Sequence, residues 1–239
     1  STSFGLSTRL GGVAGQVDTC VVVKRVVNRG PVSINGSFNG TNSNNIGGVM
    51  GCVVKINIDD AKNYGKVTLA SGRFASVSLG GVIGYGSFMM GENFHNYGEV
   101  CTAEGVTHYH LVCGGIAGKH VDVAEYSYLN NSTNNAPLNI LSDMEEYKAG
   151  YFRIGGCIGW GQNDENQITN NAEGVINIKS KLYNADDLNY DLAISGGVAY
   201  QTQSSVPTAI TNKAPININC TVTTSSSYTD YGAVRLNVG

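Results

Sequence analysis

The sequence predicts an all-β, single-domain parallel β-solenoid over residues 1–239, with about six coils of 33–41 residues. Three observations predict it. A phrase built on paired glycines recurs six times, a second phrase opening mostly on Asn follows each copy about half a repeat later, and the runs between them alternate apolar and polar residues. The 32 glycines and the many asparagines are poor helix formers and good turn formers, so little helix is expected.

The first phrase reads LGGVAG from 10, IGGVMG from 46, LGGVIG from 79, CGGIAG from 113, IGGCIG from 154 and SGGVAY from 195. The pairs begin at Gly11, Gly47, Gly80, Gly114, Gly155 and Gly196, spaced 36, 33, 34, 41 and 41. Helical repeats of similar length exist, but runs such as GVINIKS and APININCTV carry the two-residue period of a strand. Each copy is therefore one coil of about three short strands, stacked on the next at roughly 4.8 Å. Because a single coil cannot bury its own apolar face, the inward pattern must be repeated. Val13, Val49, Val82, Ile116, Cys157 and Val198 are expected to form one interior column, and Val32, Val67, Val100, Leu138, Val175 and Ile216 another.

The second phrase appears as VNRGPVSI, KNYGKVTL, HNYGEVCT, NNAPLNI, NNAEGVINI and TNKAPININ. Its Asn28, Asn63, Asn96, Asn170 and Asn212 suit a corner ladder, each amide bonding backbone or the next Asn; a plain turn residue is the simpler alternative. The segments SDMEEYKAG and KLYNADDLNY lengthen copies four and five and read as loops leaving the solenoid. DYGAV near the end resembles the start of a further copy, which favours a piece of a longer protein over a terminal cap.

The alternation of GGVIG with NYGEV resembles the glycine-rich GLUG-type repeats of large bacterial cell-surface and secreted proteins, many from Bacteroidota. That resemblance covers nearly the whole chain and implies a β-solenoid on a surface protein, often an adhesin or stalk. It carries no catalytic residues, and copies four to six depart from it by losing the Gly of NYG.

A net charge of −3 gives no electrostatic support for nucleic acid, and no apolar run approaches the roughly 20 residues of a membrane-crossing helix. Six Cys without a C-x-x-C pair lie largely at core positions, so buried free thiols are expected rather than a disulfide framework. His108 and His110, two apart on one strand and followed by His120, could share a metal or be two exposed polar residues. Aligned on the glycines, Asp59, Glu92, Glu125 and Glu165 form an acidic stripe extended by Asp60, Asp122 and Asp164, whose repulsion is relieved by water or by calcium. No other cofactor is expected. Tyr85 and Trp160 share an offset with Lys119 between them, and Tyr200 lies one position earlier in its coil. These rings either stack on sugars or cover the corner glycines.

The expected function is a non-enzymatic extracellular adhesion, glycan-contacting or spacer module, its partner a carbohydrate or a host surface glycoprotein. The alternative is a polysaccharide lyase or glycoside hydrolase with the acidic residues in its cleft. An Asp at Val82 should disrupt the stack, whereas the same change at Lys119 should be nearly silent.

Overall fold

The computed structural model describes residues 7–19, 22–121, 127–145, 150–162, 164–184, 191–201, 209–224 and 237–238. All regular structure in them is β, and no helix among them is long and apolar enough to cross a membrane. The strand pairings are parallel and join each coil to the next, giving a β-solenoid of about five turns. Six copies of each phrase enclose five intervals, which accounts for the difference from six coils.

Three sheets run the length of the stack. The first collects the strands that end on the paired glycines, among them Arg73–Gly80 and Thr107–Gly114. The second begins just past those glycines with strands such as Met50–Asn63 and Ile83–Asn96, which end on the ladder Asn. The third follows the Asn, with short strands such as Val67–Ser71 and Val100–Thr102.

The cross-section has two lobes with separate cores. Val67, Leu69, Val77, Leu79, Leu111 and Ile154 fill the lobe between the first and third sheets. The second sheet curls around its own core of Val53, Ile56, Ile58, Val82, Ile83 and Leu129. It can curl because residues at level corners take the left-handed conformation, Arg25, Asp60, Asn93, Asn131 and Gln167 at one corner and Thr19, Lys55 and Phe88 at another in the lower coils, all with φ between 47 and 61. Residues other than Gly visit that region at a cost, and Asn and Asp do so most readily.

The Asn ladder forms the waist where the lobes meet. Asn63 donates from Nδ2 to the Gly65 carbonyl at 2.7 Å and to Asn96 Oδ1 at 3.0 Å, and its Oδ1 accepts from Gly65 N at 3.1 Å and Asn28 Nδ2 at 2.9 Å. Every hydrogen-bonding site of this fully buried amide is thus used. The ladder runs through Asn28, Asn63, Asn96, Asn134, Asn170 and Asn212, so Asn134 belongs with the five expected members. The second glycine of the first five pairs, and the first glycine of the sixth, Gly196, exist to admit it. A Cβ on Gly81 would lie 2.4 Å from the Asn96 amide carbon and 2.0 Å from the Gly115 carbonyl oxygen.

The interior columns stand with three corrections. Val13, in the lowest described coil, is 52% exposed. In coil five, two extra residues follow the ladder Asn, so Asn170 bonds the carbonyl of Gly174, four residues on, where Asn96 bonds Gly98 two residues on. Buried Ile176, not Val175, therefore takes the place level with Leu138 and Ile216. In coil six Ser195 occupies the level of Gly155, so the glycine pair sits one residue late and Val198 pairs with Ile158 rather than standing over Cys157.

The insertions are only partly loops. Asp143–Met144 joins the first sheet beside Thr107 and His108, and Lys181–Asn184 continues a strand paired with Thr221–Thr224. Met144 is drawn in because it is apolar and sealed against the core. Cys52, Cys101, Cys113, Cys157 and Cys220 are free thiols; Cys20 lies outside the described residues. Burial pushes the Cys113 and Cys157 thiols strongly upward, keeping them protonated and inert.

Candidate functional site: the groove between the lobes

Past the glycine pair the chain doubles back, and the opening stretch of the second sheet lies against the outer face of the first. Contact is backbone to backbone, which is why the phrase ends in glycine. A Cβ on Gly84 would come within 2.4 Å of the Ile46 nitrogen, and one on Gly118 within 2.7 Å of the Leu79 nitrogen. One residue further on, the two walls separate into a groove running along the solenoid axis. One wall carries the column Gln16, Cys52, Tyr85, Lys119, Trp160 and Tyr200. The facing wall carries Arg9, Asn45, Ser78, Val112, Arg153 and Ala193.

The four residues singled out for ligand contact, Tyr85, Lys119, Trp160 and Tyr200, therefore stand in one column. Tyr200 is level with Trp160, not one position earlier, because of the Ser195 offset in coil six. Sequence reasoning missed the opposite wall. Tyr151 and Arg153 alternate outward immediately before a glycine pair, a pattern legible only once the first sheet's outer face is known to be covered.

The lower groove widens into a solvent-open depression of about 530 Å³ bordered by Arg9, Gln16, Asp18, Asn45, Cys52 and Tyr85. Arg9 donates to Gln16 Oε1, and Gln16 Nε2 donates to Asp18 Oδ2 at 2.9 Å, so the planar polar groups form a held chain beside the Tyr85 ring. The upper groove is filled by an aromatic and cationic cluster. Arg153 lies over Tyr200 at 3.5 Å, Trp160 at 4.3 Å and Tyr151 at 4.7 Å, while Lys119 Nζ lies 5.0 Å from the Trp160 centroid and 5.4 Å from that of Tyr151. Lys119 also donates to the Tyr151 hydroxyl at 3.3 Å. The Tyr151 and His110 rings stack at 4.1 Å, and Trp160 meets Tyr151 and Tyr200 edge to face at 5.9 and 5.7 Å.

Both cations are buried, Lys119 at 8% exposure and Arg153 at 6%, while the rings are half-buried at the mouth. Cation–π contact of this kind contributes about 0.5–2 kcal/mol. Lys119 is therefore not the tolerant surface site expected from the sequence: Asp there would place a carboxylate against ring faces. His110 senses the cluster, its imidazole held below the ordinary value by burial and then by Lys119 and Arg153.

The paired histidines separate. His108 turns into the core against Ser142 Oγ at 3.0 Å, where burial holds its imidazole down at about 3, whereas His110 faces Tyr151 in the groove. They differ in face because the strand turns between His108 and Leu111, as it does one coil below between Phe74 and Val77, which point into the same core three residues apart. His120 lies in the other lobe, fitted between Gly86 and Gly161 and 3.3 Å from the Met89 carbonyl.

The acidic stripe contracts to a pair. Asp59 and Glu92 are in register, with Lys24 below and Asn130 and Asn166 above. Neutral donors serve both, Asn93 Nδ2 to Asp59 at 2.9 Å and the Tyr128 hydroxyl to Glu92 at 3.3 Å. Glu165 pairs with Leu129, one residue out of line, and Glu125 and Asp122 lie outside the described residues. Among the described residues no cluster of three or more His, Cys, Asp or Glu is arranged to hold a metal ion. Comparison with protein-family models, curated proteins and solved structures finds no match to this chain.

Proposed function

We propose that this β-solenoid is a non-enzymatic saccharide-contacting module, and that the groove between its lobes is the contact surface. The observation that carries the reading is the lower depression, where the half-buried Tyr85 ring stands beside the linked planar groups of Arg9, Gln16 and Asp18. An aromatic face stacks on the apolar face of a sugar ring, and planar side chains with fixed donors and acceptors bind its hydroxyls. The rigid repeat supports this use, because wall residues recur at a strand spacing of roughly 4.8 Å and are carried on paired strands rather than on loops. The resemblance to GLUG-type repeats supports a place at the cell exterior, within a larger surface protein acting on carbohydrate or a host glycoprotein.

A hydrolytic or lyase reading has less support. Asp59 and Glu92 lie on the far lobe, away from the groove, and each is hydrogen-bonded to a neutral donor. Glycan-array binding by the intact chain, followed by titration of each hit against Tyr85→Ala, tests the proposal. Binding that falls at least tenfold in the variant, at unchanged melting temperature, is expected. Absence of any glycan binding would leave a spacer and overturn the contact function.

A further inference from the structure

Asparagines held for structure in this fold use every hydrogen-bonding site, as Asn63 and Asn96 do. Asn45 does not. It stands on the outer face of the first sheet, its neighbour Ile46 turned into the core, and is 7% exposed. Its Oδ1 is sealed from solvent with no hydrogen-bond partner among the described residues. A buried amide that no protein group holds is costly and calls for a reason. Its surroundings supply one. A Cβ on Gly84 would lie 2.8 Å from the Asn45 carbonyl carbon, so Tyr85, the next residue, emerges opposite Asn45. The Asn45 side chain borders the open depression together with Tyr85, Cys52, Val54 and Asp18. With Oδ1 sealed, Nδ2 is the end of the amide left to that space.

The depression exists because Cys52 is small where its column neighbours Gln16 and Tyr85 are large. Cys52 and Val54 lie two apart on one face of a strand, and Asp18 is in register with Val54. Burial raises the Cys52 thiol above its ordinary value, so it lines the floor as a neutral, weakly polar group. The Asp18 carboxylate is held in place by the donation from Gln16 Nε2 at 2.9 Å. The lining thus offers a ring face, an amide donor, a carboxylate acceptor and an apolar pair.

We propose that this depression recognises the acetamido group of a 2-acetamido sugar, with the pyranose on Tyr85, the acetamido carbonyl on Asn45 Nδ2, its N–H on Asp18 and its methyl on Cys52 and Val54. This inference rests on the groove being a saccharide site and adds the substituent that it selects. A hydroxyl in that position would supply one polar atom and leave the apolar pair uncovered. An acetamido group supplies acceptor, donor and methyl in one plane, and a site built to hydrogen-bond a substituent rejects the analogue that lacks it.

The test is calorimetric titration of the intact chain with triacetylchitotriose, cellotriose and the fully deacetylated chitosan trimer. Methyl N-acetyl-β-galactosaminide against methyl β-galactoside covers the other ring configuration. In at least one configuration the acetamido sugar should bind at least tenfold more tightly than its hydroxyl counterpart, and the chitosan trimer should not share the gain. Asn45→Ala should bring the acetamido sugar to the level of that counterpart, and so should Cys52→Leu, which fills the place of the methyl. If neither variant folds, the comparison on the unaltered chain decides alone. Equal affinity for acetamido and hydroxyl sugars in both configurations, binding of none of these probes, a chitosan trimer that binds as tightly as the acetylated one, or a preference unchanged in a folded variant would each overturn the acetamido subsite. The saccharide reading would then stand on any array glycan whose binding is lost in Tyr85→Ala. No saccharide binding of any kind would overturn both.

Discussion

Replacing Asn96 with Ala tests the load on the ladder. Asn96 is fully buried and makes four hydrogen bonds: its Nδ2 donates to the Gly98 carbonyl at 2.8 Å and Asn134 Oδ1 at 2.9 Å, and its Oδ1 accepts from Gly98 N at 3.2 Å and Asn63 Nδ2 at 3.0 Å. Truncation leaves four partner groups short of a bond in a site sealed by Gly81 and by the coils above and below. At about 1–3 kcal/mol for each orphaned buried group, the loss is at least about 4 kcal/mol. A domain holds only about 5–15 kcal/mol in total, so the variant should lie near the edge of folding. Asn212→Ala provides the scale. It also sits in the ladder but is exposed at its upper end, where water replaces the lost partners, and about 1 kcal/mol is expected. Urea denaturation followed by circular dichroism, with the slope checked for constancy, measures both. If the two variants fall within about 1 kcal/mol of each other, the buried ladder is not what holds the waist. Asn96→Asp should be as damaging as Ala, because an ionised carboxylate cannot make the two donations.

Gly84→Ala should cost about 1–3 kcal/mol or more, since its Cβ would meet backbone at 2.4 Å, whereas Gly105→Ala, with open space around it and φ of +82, should cost about 1 kcal/mol; thermal melts compare them. Val82→Asp buries an unpaired carboxylate in the second core and should prevent folding, while Lys119→Asp should also destabilise measurably, read by the same melts. The His108 imidazole is held at about 3 against an ordinary 6.5, so the unfolded chain binds the extra proton between those values. Stability is full above pH 6.5 and falls as the pH drops toward 3, by up to about 1.4 kcal/mol per pH unit, and His108→Gln should flatten that slope between pH 6.5 and 4.5 in urea titrations. Thiol reagents should label Cys113 and Cys157 only on unfolding, because both are sealed in the cores.

The solenoid was legible because its signals are periodic. Val67, Val100 and Leu138 recur at fixed distance from an Asn, and an amide repeated at the same point of every coil implies that the coils stack. Errors of one residue arose where a coil carries extra residues beside a landmark, as at Gly174 in coil five, or a substituted landmark, as at Ser195 in coil six. The second lobe was not legible, because its left-handed corners use Arg25, Asp60, Asn93, Asn131 and Gln167 at one level and Thr19, Lys55 and Phe88 at another, with no common residue to betray them. The groove follows from that lobe. Its one sequence trace is the glycine closing each GGVxG phrase, which looks like more turn chemistry until Gly84 and Gly118 are seen pressed against the backbone of the first sheet. The offset shared by Tyr85 and Trp160 was visible, but its partners Tyr151 and Arg153 come from the opposite wall, which no spacing along the chain connects to that offset.

The ladder also gives the stack a direction. Asn28 donates upward to Asn63, Asn63 to Asn96, and so on to Asn212, so the amide dipoles align head to tail. Aligned dipoles reinforce one another, as peptide units do along a helix, and each bond polarises the next. Among the described residues the ladder ends below on the Oδ1 of Asn28 and above on the Nδ2 of Asn212, an acceptor at one end and a donor at the other. Any further coil, in this chain or in another, continues the wire only in the same orientation. Two such stacks meeting lower end to lower end would set carbonyl against carbonyl, so the fold carries its own rule for polarity of growth.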